Sequence, residues 1–138
     1  MNYIIKTENF FLELYLQVFE FDISISPSNT IIKLKVESFG YSGNSDIDIN
    51  IIDFINFIEN IRKIYDSLNG SARLEEVYGK KQYIDFIADG KGHILVRGFI
   101  SQINDDKEQE LKFSNEIDQT VLKSFIEQTI DIYTKYKN

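Results

Sequence analysis

Cysteine and tryptophan are absent from this chain of 138 residues, and proline, methionine and histidine occur once each. Without cysteine there is no disulfide, no thiolate nucleophile and no sulfur ligand for a metal, a composition natural to a reducing compartment. One histidine, His93, cannot form a metal cluster alone, and no partner stands near it at ligand spacing. Long apolar runs are also missing. The opening MNYIIKTENFF has two isoleucines between polar residues where a secretory signal needs seven or more apolar ones, and no later stretch reaches membrane-spanning length. A cytoplasmic protein is expected. Basic residues are scarce, 15 against 22 acidic ones, which leaves a formal charge of -7 and a pI near 4.7. Nucleic acid, whose phosphates demand Lys and Arg, is disfavoured as a partner; a basic protein is electrostatically easier, and solubility alone also accounts for mild acidity.

What is plentiful is core material. With 43% hydrophobic and 14% aromatic residues, a chain of this size buries roughly two thirds of its unfolded surface and needs neither disulfide nor metal to fold. A single domain over 1–138 is expected.

Leu12, Leu14, Leu16 and Val18 alternate with Phe11, Glu13, Tyr15 and Gln17, which predicts a strand. Ser26 to Asn29 holds the only proline and reads as a turn, after which Ile32, Leu34 and Val36 alternate again and complete a hairpin. Ser42-Gly43-Asn44-Ser45 breaks the pattern. Asn50 then precedes a helical period, with Asp53 three residues on in a capping-box-like arrangement. The apolar set Ile51, Phe54, Ile55, Phe57, Ile58, Ile61, Ile64, Tyr65 and Leu68 covers half the circumference, so this helix is deeply buried, with Gly70 as its expected C-terminal cap. Four short alternating runs follow, around Ala72 and Leu74, Ile84 to Ala88, Ile94 to Ile100, and Leu111 to Phe113. A second helix opens at Asp118, whose side chain, as N-cap, is expected to contribute about 1 kcal/mol. The order ββαββββα predicts an α+β fold, a twisted antiparallel sheet of about six strands with two helices packed on one face. The other face would carry Phe11, Tyr15, Phe19, Phe21, Tyr83, Leu95 and Phe99, more aromatic surface than a monomer normally leaves in water. Either the sheet curls and the chain ends cover it, or it is a homodimer or partner surface.

Catalytic constellations are not legible. His93 has no nucleophile beside it, and an imidazole bonded to a turn or neighbouring strand explains it. Asp46 and Asp48 share a strand face but lack the Asp-x-Asp-x-Asp-Gly calcium pattern. Gly90 and Gly92 join strand to strand rather than opening a helix, and Gly98 follows within the next strand, so these glycines shape a hairpin and not a phosphate loop. Asp118, Gln119 and Thr120 read as helix-start residues that satisfy orphan backbone groups. The pair Glu75 and Glu76, and the loop carrying Asp105, Asp106, Glu108 and Glu110, are candidate acidic docking contacts. No metal or cofactor site is expected.

The chain resembles the bacterial immunity proteins paired with wall-associated-protein-type contact-dependent polymorphic toxins. The resemblance rests on the helix Ile51 to Leu68, its exit Leu-Asn-Gly-Ser-Ala-Arg-Leu to Leu74, Gly92-His93-Ile94 with Val96 and Gly98, Leu111-Lys112-Phe113, and Asp118-Gln119-Thr120 with Leu122 and Phe125. It implies a small antitoxin that sequesters a cognate toxin domain without cofactor or turnover; an acidic patch would then speed association with a basic toxin such as a nuclease. A different class of function, a small-ligand-binding domain, would use an aromatic concavity around Tyr15, Tyr83 and Phe99.

Overall fold

A computed structural model describes residues 1–19 and 27–137. In chain order the elements are β1 (Asn2–Lys6), β2 (Phe10–Val18), β3 (Thr30–Ser38), β4 (Tyr41–Ile49), α1 (Ile51–Ser67), β5 (Ser71–Glu75), β6 (Tyr83–Ala88), β7 (His93–Asn104), β8 (Lys107–Asp118), α2 (Gln119–Gln128) and α3 (Ile130–Tyr136). The class is α+β, as the pattern predicts. The single sheet of about six strands is corrected: the strands form two antiparallel sheets of four, ordered β1-β2-β3-β4 and β5-β6-β7-β8.

The two additional strands are β1 and β4, and each hid for a physical reason. β1 points only Tyr3 and Ile5 inward, too short an alternation to stand out. β4 contains the Ser42–Ser45 stretch that reads as a break. Its inward positions are Gly43, Ser45, Ile47 and Ile49, and the first two carry no apolar side chain because the second sheet crosses there. A methyl group on Gly43 would lie 3.1 Å from Leu111 Cδ2 and 3.3 Å from Ile100 Cδ1. The expected turn at Ser26 to Asn29 lies partly outside the described residues, as does Phe21.

The sheets share one core with α1. Phe54 stacks on Tyr3 of β1 at 6.0 Å, Phe57 meets Phe86 of β6 edge-on at 5.6 Å, and Phe10 of β2 meets Phe113 of β8 at 6.1 Å. Seven apolar residues of α1 are buried, each stabilising by roughly 1.5–3 kcal/mol before ordering costs. Helix packing on one face of one sheet is therefore replaced by a helix wedged between two sheets. The expected second helix is two, divided at buried Thr129, whose backbone leaves the helical region (φ -90, ψ 1) and whose hydroxyl donates to the Ile126 carbonyl at 2.9 Å.

The caps also sort themselves. Asn50 caps α1 with its side chain accepting from Ile52 N at 2.9 Å, and Asn29 Oδ1 accepts from Ile51 N at 2.8 Å. At the other end Leu68, at φ +61, is the C-cap and bonds Ile64 O; Gly70 lies two residues beyond it at φ +100, so the cap assigned to Gly70 moves to Leu68. Asp118 stands at the N-cap of α2 but makes no side-chain cap bond. Asn50→Ala is accordingly expected to cost about 1 kcal/mol, and Asp118→Ala only a few tenths, in paired denaturant titrations.

Candidate partner-binding surface

Beyond the Tyr83–Phe99 pair β6 ends, and β7 and β8 continue together as a two-stranded arm. Residues 102–110 are all exposed. At its tip Asp105 and Asp106 adopt left-handed backbone, φ +49 and +63, a two-residue turn in which aspartate is among the residues tolerated. No ion pair involves either of them among the described residues. Glu108 and Glu110 instead flank Lys81, with Glu108 bonded directly to its Nζ and Glu110 at 3.4 Å. That bond from Lys81 holds the Glu108 carboxyl below its usual range, and the Lys81 ammonium is correspondingly raised.

The other acidic pair is divided. Glu75 meets Arg73 Nε at 3.0 Å, while the same guanidinium forks onto buried Asp85 at 2.9 and 3.1 Å. Glu76 is committed to the junction between sheets: it accepts from the backbone of Lys81 and Gln82, both at 3.0 Å, and from Gln82 Nε2 at 2.9 Å. Gln82 in turn accepts from Ser45 of β4 and from Ser101 N of β7. The acidic candidates thus comprise a free tip, a lysine-bridged pair and two residues tied into the β5–β6 region.

The aromatic candidates do not form one surface. Phe11 and Tyr15 lie on the outer face of the first sheet, where Lys35 Nζ sits 5.8 Å from the Phe11 ring and Tyr15 is 46% exposed. Phe19 follows β2 and is half-buried. Tyr83 and Phe99 are register partners on the outer face of the second sheet, covered by Arg73 at 4.0 Å and Lys81 at 5.5 Å. The concavity expected around Tyr15, Tyr83 and Phe99 is corrected on this point: the two sheets carry these rings on separate faces.

Among the turn residues, Gly90 and Gly92 take positive φ, +83 and +94. Asp89 braces this turn, accepting from Lys91 N at 2.6 Å and His93 N at 3.2 Å, with the His93 ring 3.2 Å from its other oxygen. The Lys91 bond leads in holding the Asp89 carboxyl below its ordinary value. Gly98 faces inward under the ring of Phe113, its register partner. Gln119 donates to the Tyr65 carbonyl and so ties α2 to α1, while Thr120 is exposed on the first turn.

One surface feature escaped the sequence reading. The β3–β4 turn is Phe39-Gly40, with φ +48 and +85, between paired Ser38 and Tyr41. Phe39 is 63% and Tyr41 73% exposed. Both central residues of such a turn need positive φ, a position that Asn, Asp and Gly fill at low cost and a bulky ring does not. Three shallow depressions surround this tip. The largest, about 800 Å³, runs past Lys6, Phe11 and Glu37; a second includes Leu95, Ser114 and Glu116; a third includes Leu111, Lys112 and Phe113. A signal was available in sequence, since an aromatic-Gly-aromatic triplet, Phe39-Gly40-Tyr41, follows the alternating run of Ile32, Leu34, Val36 and Ser38.

The α+β scaffold thus presents an aromatic hairpin tip and an acidic arm, both exposed to solvent. No helix among the described residues is long and apolar enough to cross a membrane. The chain belongs to the Immunity protein WapI-like family, whose model matches residues 3–137. Comparison with curated proteins gives no match.

Proposed function

We propose that this protein binds a cognate toxin domain one to one, in the cytoplasm, and neutralises it by covering its active surface without catalysing a reaction. Membership of the immunity family over nearly the whole chain carries this reading. The aromatic tip Phe39 and Tyr41 supplies an anchor of the kind that dominates binding energy at interfaces. The acidic arm supplies steering toward a basic toxin, with a nuclease as one example of that charge class.

The direct test is survival of cells expressing the C-terminal domain encoded next to this gene, with and without the present chain, together with isolation of an equimolar complex. Rescue with a complex supports the reading; killing regardless of the chain sinks it. The steering role has its own test. Asp105→Asn with Asp106→Asn keeps a residue suited to left-handed backbone and removes two unpaired charges. Association is expected to slow several-fold at low salt, with the difference fading as salt screens it and the melting temperature unchanged. Equal rates at low salt would remove the arm from the steering assignment.

The homodimer reading draws on the aromatic sheet faces, with Phe11, Tyr15 and Phe19 along and just after β2 and Tyr83 and Phe99 on the second sheet, and sedimentation across a concentration series separates it from toxin binding. A chain that is dimeric at low micromolar concentration, and whose dimer Tyr15→Ser or Phe99→Ser disrupts, would assign the face so mapped to a second copy.

A further inference from the structure

Three strand edges of the two sheets are blunted or short, and the fourth is not. The edge of β1 is covered by the Gln128 amide, which accepts from Ile4 N at 2.7 Å and donates to Ile4 O at 2.8 Å. Along β4, Val77 N bonds Asp48 O at 2.8 Å and Gln82 Nε2 reaches Asp46 O at 3.3 Å. β5 is only five residues long. β8 runs for twelve residues and pairs only with β7.

Its outward groups can be identified. Ser101 N turns from β8 to Gln82 Oε1, and Glu116 N turns from β7 to Asn115 Oδ1 at 2.8 Å. In an antiparallel ladder bonded and non-bonded pairs alternate. The pairs Ser101–Glu110, Phe99–Lys112 and Arg97–Ser114 are therefore non-bonded. Glu110, Lys112 and Ser114 direct N–H and C=O away from the sheet, and none of these groups has a backbone partner among the described residues. Opposite this edge stands the aromatic hairpin, since Phe39 and Tyr41 line one depression with Leu111, Lys112 and Ser114.

We propose that this edge is the seat of the toxin contact: an extended segment of the toxin adds to β8 as a fifth strand, in the groove between the edge and the Phe39–Tyr41 tip. The inference rests on the immunity reading and specifies its geometry. Backbone bonds would hold the segment, and the tip would take an apolar side chain. Charge selects the occupant. The edge and its turn carry Asp105, Asp106, Glu108, Glu110, Glu116 and Asp118 against Lys107, Lys112 and the Lys81 that bridges Glu108 and Glu110, an acidic balance that suits a strand bearing Lys or Arg. A second copy is disfavoured by the same residues, because antiparallel self-pairing about Lys112 would oppose Glu108 to Glu116 and so set like charges across the new ladder.

Proline distinguishes a backbone contact from a side-chain one. At Lys112 the N–H faces outward, so proline there is compatible with an edge strand yet removes a donor and blocks close pairing. Lys112→Pro is expected to weaken binding of the adjacently encoded toxin domain about tenfold or more, whereas Lys112→Ala changes it less than about threefold. Amide exchange on the unmodified chain supplies a second readout that survives any folding defect of the proline variant. The Lys112 and Ser114 amides are expected to slow sharply in the complex. A complex that forms with both amides still exchanging freely, and with Lys112→Pro binding normally, overturns the edge contact and leaves the immunity reading intact. Protection that grows with the chain's own concentration, without toxin, assigns the edge to a second copy and also overturns it. If no complex forms at all, the immunity reading fails first and this contact with it.

Discussion

Gly98→Ala is expected to lower the melting temperature by about 10 °C, the largest loss from a single added methyl group in this fold. The new Cβ would stand 2.6 Å from the Tyr83 carbonyl oxygen, 2.6 Å from Phe113 Cζ and 2.8 Å from Phe113 Cε1. Neither neighbour yields cheaply. The carbonyl belongs to β6, so moving it opens the β6–β7 ladder, and the Phe113 ring is held against Phe10 across the two sheets. Overpacking of this kind costs about 1–3 kcal/mol when side chains alone adjust, and more when backbone must shift. Against a total stability of about 5–15 kcal/mol, a cost near 3 kcal/mol is severe. Gly43→Ala is the matched control, because its methyl would press on the ends of the flexible Leu111 and Ile100 side chains at 3.1 and 3.3 Å. Calorimetry showing equal melting losses for the two variants would refute the account.

Phe39→Asn is expected to act in opposite directions on stability and on binding. A phenylalanine at φ +48 occupies a conformation that costs L-residues roughly 1–2 kcal/mol and that asparagine enters more easily. The ring is 63% exposed, so little core burial is lost with it. Stability should therefore hold or rise by up to about 1 kcal/mol. Toxin affinity should fall by about 2 kcal/mol, roughly thirtyfold, as expected for removing a buried aromatic anchor from an interface. A bulky ring held at positive φ in solvent is the observation whose functional meaning this variant tests. A variant that is both more stable and fully protective would show that the ring has no part in toxin recognition.

The unequal legibility of these two sites follows from range. Gly98 stands out as a glycine inside an apolar alternation, and the register partner that explains it, Phe113, lies only fifteen residues on in the same hairpin. The Phe39 turn is equally local, yet its meaning depends on β4, whose inward residues Gly43 and Ser45 mimic a loop. They are small and polar because Ile100, Leu111 and the Gln82 side chain fill the space from the second sheet. The acidic residues show the same divide. All six are plain in sequence, but only the fold separates free Asp105 and Asp106 from Glu108 and Glu110 around Lys81, and from Glu76 bound to Gln82.

By itself the sequence determined the α+β class, the buried helix after Asn50, the β5–β8 meander and the acidic character, because these arise from periodicity, capping chemistry and charge within a few residues of one another. Tertiary structure alone decided that there are two sheets, that the aromatic candidates part onto different faces, that Leu68 and not Gly70 ends α1, and that β8 keeps an open edge beside Phe39 and Tyr41. Each of these depends on which distant surfaces come within van der Waals or hydrogen-bond reach, a property that no local pattern encodes.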